Sequence, residues 1–144
     1  MEIRPVGSLS GETMATDPFS ESDMPAEVLD PEQLDMLRGI PEWGEASVRV
    51  AINAFLDQTP PLVRRISEAI AANNPHDLMR AAHTLKGSAA SLGLMRLTWT
   101  AHTIILDLRA QRSDRFPALA RMVESETELA TAALVRRLEP GDEH

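Results

Sequence analysis

The chain has 144 residues, no cysteine, no tyrosine, two tryptophans and a net charge of −8. That length suits one ordinary domain with its own core, and the missing thiols exclude disulfides, thiolate zinc sites and cysteine nucleophiles. No apolar run nears the ~18 residues of a membrane span, no basic stripe suits a phosphate backbone, and Met1-Glu2-Ile3-Arg4-Pro5 lacks the apolar core of a signal peptide.

These exclusions predict a cytoplasmic protein with no nucleic-acid partner and no direct membrane contact. The acidity is uneven. Residues 1–45 hold eleven acidic and two basic groups, whereas residues 46–144 hold eleven acidic and twelve basic groups and are nearly neutral. Residues 1–27 are rich in turn formers and acids with no apolar period, so they are expected to be a disordered linker dispensable for the fold. Residues 28–139 carry the helical signals, and 140–144 are expected to be a disordered tail.

Asp30 can cap a short helix that opens with Pro31, turns Leu34 and Leu37 inward, and ends at Gly39 and Pro41. A second helix is predicted from about Pro41, with Val48, Ile52 and Phe55 on one stripe. Pro60-Pro61 interrupts its ladder. Thr59 could cap a restarted helix through Leu62, Ile66 and Ile70, and kink versus break stays open. Asn74-Pro75-His76-Asp77 starts a third helix, with Leu78, Ala82, Leu85, Ala89 and Leu92 on a bundle seam and Gly93 at its end. The fourth turns Leu94, Leu97, Ala101, Ile104 or Ile105, and Leu108 inward. The fifth, from about Pro117 to Leu138, is predicted to bury Leu119, Met122, Leu129, Ala133 and Leu138. Short connections between long amphipathic helices imply antiparallel neighbours. The expected fold is all-α: an up-and-down antiparallel four-helix bundle with a short N-terminal helix in front.

One patch of the third helix stands apart. Lys86 is the only lysine among fourteen basic residues, and it follows His83 by three positions. Residues three and four apart share a helix face, so His83, Lys86 and Gly87 form one patch: an imidazole, a compact ammonium and a position without a side chain. Because Ala82 lies on the seam, His83 falls on its flank and should reach solvent. A mid-helix glycine costs about 1 kcal/mol relative to alanine. Close helix packing would explain a small residue, but Gly87 faces with His83 rather than with the seam. The patch suits a phosphoryl group carried on histidine and approached closely by a partner. Met79, Arg80, Ala90 and Ser91 border it as candidate docking residues.

The run Ala82-His83-Thr84-Leu85-Lys86-Gly87-Ser88-Ala89-Ala90-Ser91-Leu92-Gly93 closely resembles the signature of the histidine-containing phosphotransfer (HPt) domains of two-component phosphorelays. The likeness extends from roughly Leu29 to Leu138 in helix order and length, and Arg96-Leu97 matches a basic-leucine pair of the next helix. The resemblance implies that His83 is the phosphoacceptor, that Lys86 supports the phosphate charge and that Gly87 gives steric access. It also implies a monomeric carrier that takes phosphate from a receiver aspartate or a kinase and passes it to a response-regulator receiver. No cofactor would be resident, since magnesium belongs to the receiver. One departure is visible: where many members carry a glutamate, this chain has Ile104-Ile105-Leu106, with Asp107 just beyond.

No Gly-x-x-x-x-Gly-Lys-Ser/Thr loop or kinase-type glycine-rich box provides a nucleotide site, so an enzyme with a complete active site is not expected. Metal binding is disfavoured too. His76 and His83 lie two turns apart, about 10.5 Å of rise, and no Glu-x-x-His pair is present. Glu124, Glu126 and Glu128 read as a solvated face. Trp99, His102 and Leu106 form a second stripe, for packing against the N-terminal helix, for docking a receiver or for a dimer contact. The alternative function is an interaction module that docks a sensor kinase or response regulator without accepting phosphate. Arg4-Pro5-Val6 resembles the end of a receiver domain running into a C-terminal HPt module of a hybrid sensor kinase; a free-standing relay protein is equally compatible.

Overall fold

A computed structural model describes residues 24–38 and 44–138. Residues 1–23 of the predicted 1–27 linker, the expected stop at Gly39 and Pro41, and residue 139 with the predicted 140–144 tail lie outside the described residues. Among those described, five helices and no strand occur: α1 (Pro31–Arg38), α2 (Gly44–Ala71), α3 (Pro75–Ser91), α4 (Met95–Arg109) and α5 (Phe116–Leu138). Each long helix packs on the next, and α5 returns to α2, closing the four-helix bundle. Antiparallel pairing of α2 with α5 shows in their cross-links. Arg137 meets Glu45 at 3.4 Å and Arg49 donates to the Leu138 carbonyl at one end, while Ser67 donates to Glu124 toward the other.

The two prolines neither break α2 nor start a new helix. Pro60 and Pro61 lie inside one 28-residue helix, and Thr59 is a buried mid-helix residue rather than a cap. Both prolines are on the exposed side. The carbonyls of Leu56 and Asp57, which lose their helical donors, therefore have water available on that side. Meanwhile Phe55, Leu62, Val63 and Ile66 hold the helix to the core on either side of the interruption.

The α3 and α4 stripes follow the predicted spacing. Leu78, Ala82, Leu85, Ala89 and Leu92 are buried, as are Leu94, Leu97, Ala101 and both Ile104 and Ile105; Leu108 is half-buried against the core. The α5 stripe is displaced from the expected one. Phe116, Leu119, Val123, Ala130 and Leu134 form the seam, whereas Leu129 is 47% exposed and Met122, Ala133 and Leu138 are only half-buried. The cause is Glu126, which occupies a seam position and is only 4% exposed. A charge where the apolar period demands a hydrophobe hides the true register.

A non-helical strap, residues 24–30, crosses the α3–α4 turn. Asp30 caps α1 by accepting from the Glu32 N–H at 3.1 Å, and its own N–H donates to the Gly93 carbonyl at 2.7 Å. No side chain caps α4; instead the Met95 N–H donates to the Val28 carbonyl at 3.0 Å. Gly93, at φ +76°, sits under this strap: a Cβ there would fall 2.7 Å from Gln33 Cβ and 2.9 Å from the Asp30 carbonyl. Only glycine meets both the left-handed backbone and the close approach.

Candidate functional site: the exposed face of α3

Local sequence sets α3 firmly. The Asn74 side chain accepts from the Asp77 N–H at 3.1 Å and its amide donates to the Asp77 carboxylate, while Pro75 opens the first turn. With Leu78, Ala81, Ala82, Leu85 and Ala89 turned into the core, the helix phase is fixed and His83 points outward.

The His83 patch is bare. His83 and Gly87 are exposed and Lys86 is half-buried. Among the described residues no hydrogen bond or ion pair ties down the side chain of His83 or of Lys86. A Cβ built on Gly87 meets nothing within 4 Å. Intramolecular packing therefore gives no reason for glycine there, whereas Gly93, six residues further on and past the helix end, is sterically required. Of the bordering residues, Arg80, Ala90 and Ser91 are exposed and Met79 is half-buried against the core. Ser91 is already engaged: its hydroxyl donates to the Ser88 carbonyl and its own carbonyl accepts from Gln33.

Two grooves flank the ridge. One, of about 190 Å³, lies between α2 and α3 and includes Gln58, Arg65, Thr84 and Ser88. The other, of about 460 Å³, lies between α3 and α4 beneath the strap and includes Lys86, Ala90, Met95, Trp99 and His102. Trp99, His102 and Leu106 are each half-buried, and the first two look across this second groove toward Asp30 and Gln33. His102 is held below its ordinary value of 6.5, first by burial and then by the positive fields of Lys86, Arg109 and His83.

The charges that sequence reasoning misplaced lie elsewhere. Glu126 does not belong to a solvated face: Arg96 grips it in a two-pronged pair, Nε to Oε1 at 3.0 Å and Nη2 to Oε2 at 2.7 Å. That hydrogen bond holds Arg96 above its ordinary value, against a smaller opposing effect of burial. Asp107 does not stand in for the glutamate of the resembling family at this site. It is fully buried and binds Arg112 and Arg115 of the α4–α5 connection. His76 is exposed near the start of α3, and no cluster of three metal-ligating side chains occurs among the described residues. Nor, among them, is any helix long and apolar enough to cross a membrane.

Comparison with known proteins agrees with this architecture. No curated protein sequence matches the chain. Its fold is similar to the crystal structure of histidine-containing phosphotransfer protein B from Pseudomonas aeruginosa PAO1, with a TM-score of 0.71 and 22% identity over 78% of this chain and 96% of that one. The family model for the Hpt domain matches residues 50–139, which include all of α3, α4 and α5. The chain therefore belongs to the Hpt domain family, the phosphotransfer carriers of two-component signalling.

Proposed function

We propose that the protein is a phosphorelay intermediate whose phosphoacceptor is His83. The observation that carries this reading is an exposed, unpartnered imidazole with Lys86 one turn along and open space in front of Gly87. A neutral imidazole nitrogen attacks the phosphorus of a receiver's aspartyl phosphate. Its lone pair becomes the N–P bond, the P–O bond electrons leave with the aspartate carboxylate, and the proton on the second ring nitrogen exchanges with water. Onward transfer to a response-regulator aspartate reverses these steps. Transfer of this kind needs positioning and charge neutralisation above all, and the receiver brings its own aspartate and magnesium. Lys86 supplies the ammonium. A unit charge at ~4 Å contributes between about 1 kcal/mol in water and about 4 kcal/mol near a protein surface.

In this reading the chain works as a monomer in the cytoplasm and holds no cofactor. The test is transfer from a panel of phosphorylated receiver domains. The wild-type chain should take up acid-labile phosphate from at least one of them, and His83→Gln should take up none while its circular dichroism stays helical. Receivers that bind tightly without ever labelling the wild-type chain would instead establish a docking module.

A further inference from the structure

The α3–α4 groove combines an apolar lining with a lysine. Met95, 36% exposed, lines it together with half-buried Trp99, exposed Ala90 and Pro25 of the strap, and Lys86 joins them from α3. Among the described residues the Lys86 ammonium has no ion-pair partner. Asp30 also lines the groove, but its carboxylate already caps α1 through the Glu32 N–H. A groove of about 460 Å³ accepts a few side chains, whereas a stable interface between two proteins takes roughly 20–30 residues a side. Its dimensions suit a short segment.

This chain carries a segment of complementary pattern. Asp17-Pro18-Phe19-Ser20-Glu21-Ser22-Asp23 ends directly before Met24, the first described residue, and Pro25 already lines the groove. Proline favours an extended conformation in the residue before it, and alternate residues of an extended run face the same way. On that geometry Asp17, Phe19, Glu21 and Asp23 would share one side, with both serines on the other. One aromatic ring flanked by three carboxylates, with no basic residue in the run, is the counterpart of an apolar groove containing a lysine. Phe19 is six positions before Pro25, an extended reach of at most about 20 Å. So short a tether holds the ring near the groove at an effective concentration on the order of millimolar.

We propose that residues 17–23 dock in the α3–α4 groove, with Phe19 against Trp99 and Met95 and the flanking carboxylates on Lys86. The segment is a built-in competitor for that ammonium. It leaves the His83 imidazole uncovered, because His83 does not line the groove, but it occupies the charge one turn away. A phosphoryl donor must displace the acids before Lys86 can support the phosphate, so the docked segment slows transfer. This consequence rests on the proposed phosphoacceptor; the docking itself does not.

The test uses the full chain. Isotope-edited NOE spectra should show the Phe19 ring in contact with the Trp99 indole and the Met95 methyl, and Phe19→Ala should shift both of those signals. Phosphoramidate, a small-molecule phosphoryl donor, reads the consequence by ³¹P NMR. At low ionic strength Phe19→Ala, and separately the triple variant Asp17→Asn, Glu21→Gln, Asp23→Asn, should take up phosphate on His83 roughly three- to tenfold faster than wild type, the size of a weak tethered contact. The gap should close at about 0.5 M salt, where screening acts within a few ångströms. A Phe19 ring with no contact to Trp99 or Met95, or one seated on another face, would overturn the docking. So would contacts found only between differently labelled molecules, which would make a second copy the occupant. Docking contacts with wild-type labelling rates in both variants would overturn the competitor role. If neither wild type nor variants take phosphate on His83, the carrier reading itself fails, and the NOE contacts still decide the docking.

Discussion

The α3 face and the α4–α5 side of the bundle treat charge in opposite ways. On α4 and α5, Glu126 and Asp107 are buried and each is gripped by arginine through more than one hydrogen bond. On α3, the side chains of His83 and Lys86 have no hydrogen-bond or ion-pair partner among the described residues, and Gly87 faces open space. A buried charge must be paired because the interior does not solvate it. An exposed one can be left free, and a protein that must hand a group to a partner gains by leaving it so. Arg96, Arg112 and Arg115 thus hold buried acids, whereas the chain's single lysine lies at the bare patch.

Substitutions can break that contrast. The largest stability effect should come from Arg96→Ala, which strands Glu126 at 4% exposure. Breaking a buried pair costs about 3–5 kcal/mol, and a value near the lower end is expected because water can reach the site through partly exposed Arg96. Thermal denaturation should show Tm falling by roughly 10 °C for a chain of this size. Lys86→Ala should do the reverse: Tm unchanged within a degree or two, since a partly exposed charge without an ion-pair partner contributes little to stability, but transfer slowed roughly tenfold, which corresponds to about 1.4 kcal/mol. A Lys86 variant that melts early would place the lysine among the structural charges.

Gly87 sharpens the comparison further. Gly87→Ala puts a methyl group into empty space and should raise stability by up to about 1 kcal/mol, while Gly87→Leu should keep that gain yet obstruct transfer. Paired melting and transfer measurements decide the matter; a leucine variant that transfers normally but melts early would make Gly87 a packing residue. The smallest expected effect is in the pH dependence of stability. His102 binds its proton less readily folded than unfolded, so the unfolded state takes up more protons and folding weakens as pH falls below about 6.5. His102→Gln should flatten that part of the stability curve, as denaturant titrations at pH 5.5 and 7.5 would show.

The features legible in the sequence were those that obey a local rule. The α3 seam runs at unbroken helical spacing from Leu78 to Ala89, with an asparagine cap and a proline at its start, so the exposure of His83 followed from phase alone. Three things were not legible because they depend on what lies across the bundle. Glu126 looks like surface until Arg96 is placed beside it. Thr100 and Thr103 are buried because their hydroxyls donate to the Arg96 and Trp99 carbonyls one turn back, which silences their polarity. Pro60-Pro61 reads as an interruption until its carbonyl gap is seen on the exposed side of α2. The difference between the two His102 nitrogens belongs to the same class, since only the packed structure shows Nδ1 buried without a partner.

The central claim, that α3 carries the phosphoryl group on one uncommitted imidazole, is tested most directly by locating the phosphate. Wild-type chain phosphorylated by a receiver domain can be read by ¹H–³¹P correlation NMR with assigned imidazole signals. A single phosphoimidazole coupled to the His83 ring is the predicted result. Phosphate on His76 or His102, or a receiver complex that forms without any phosphoimidazole, would contradict it.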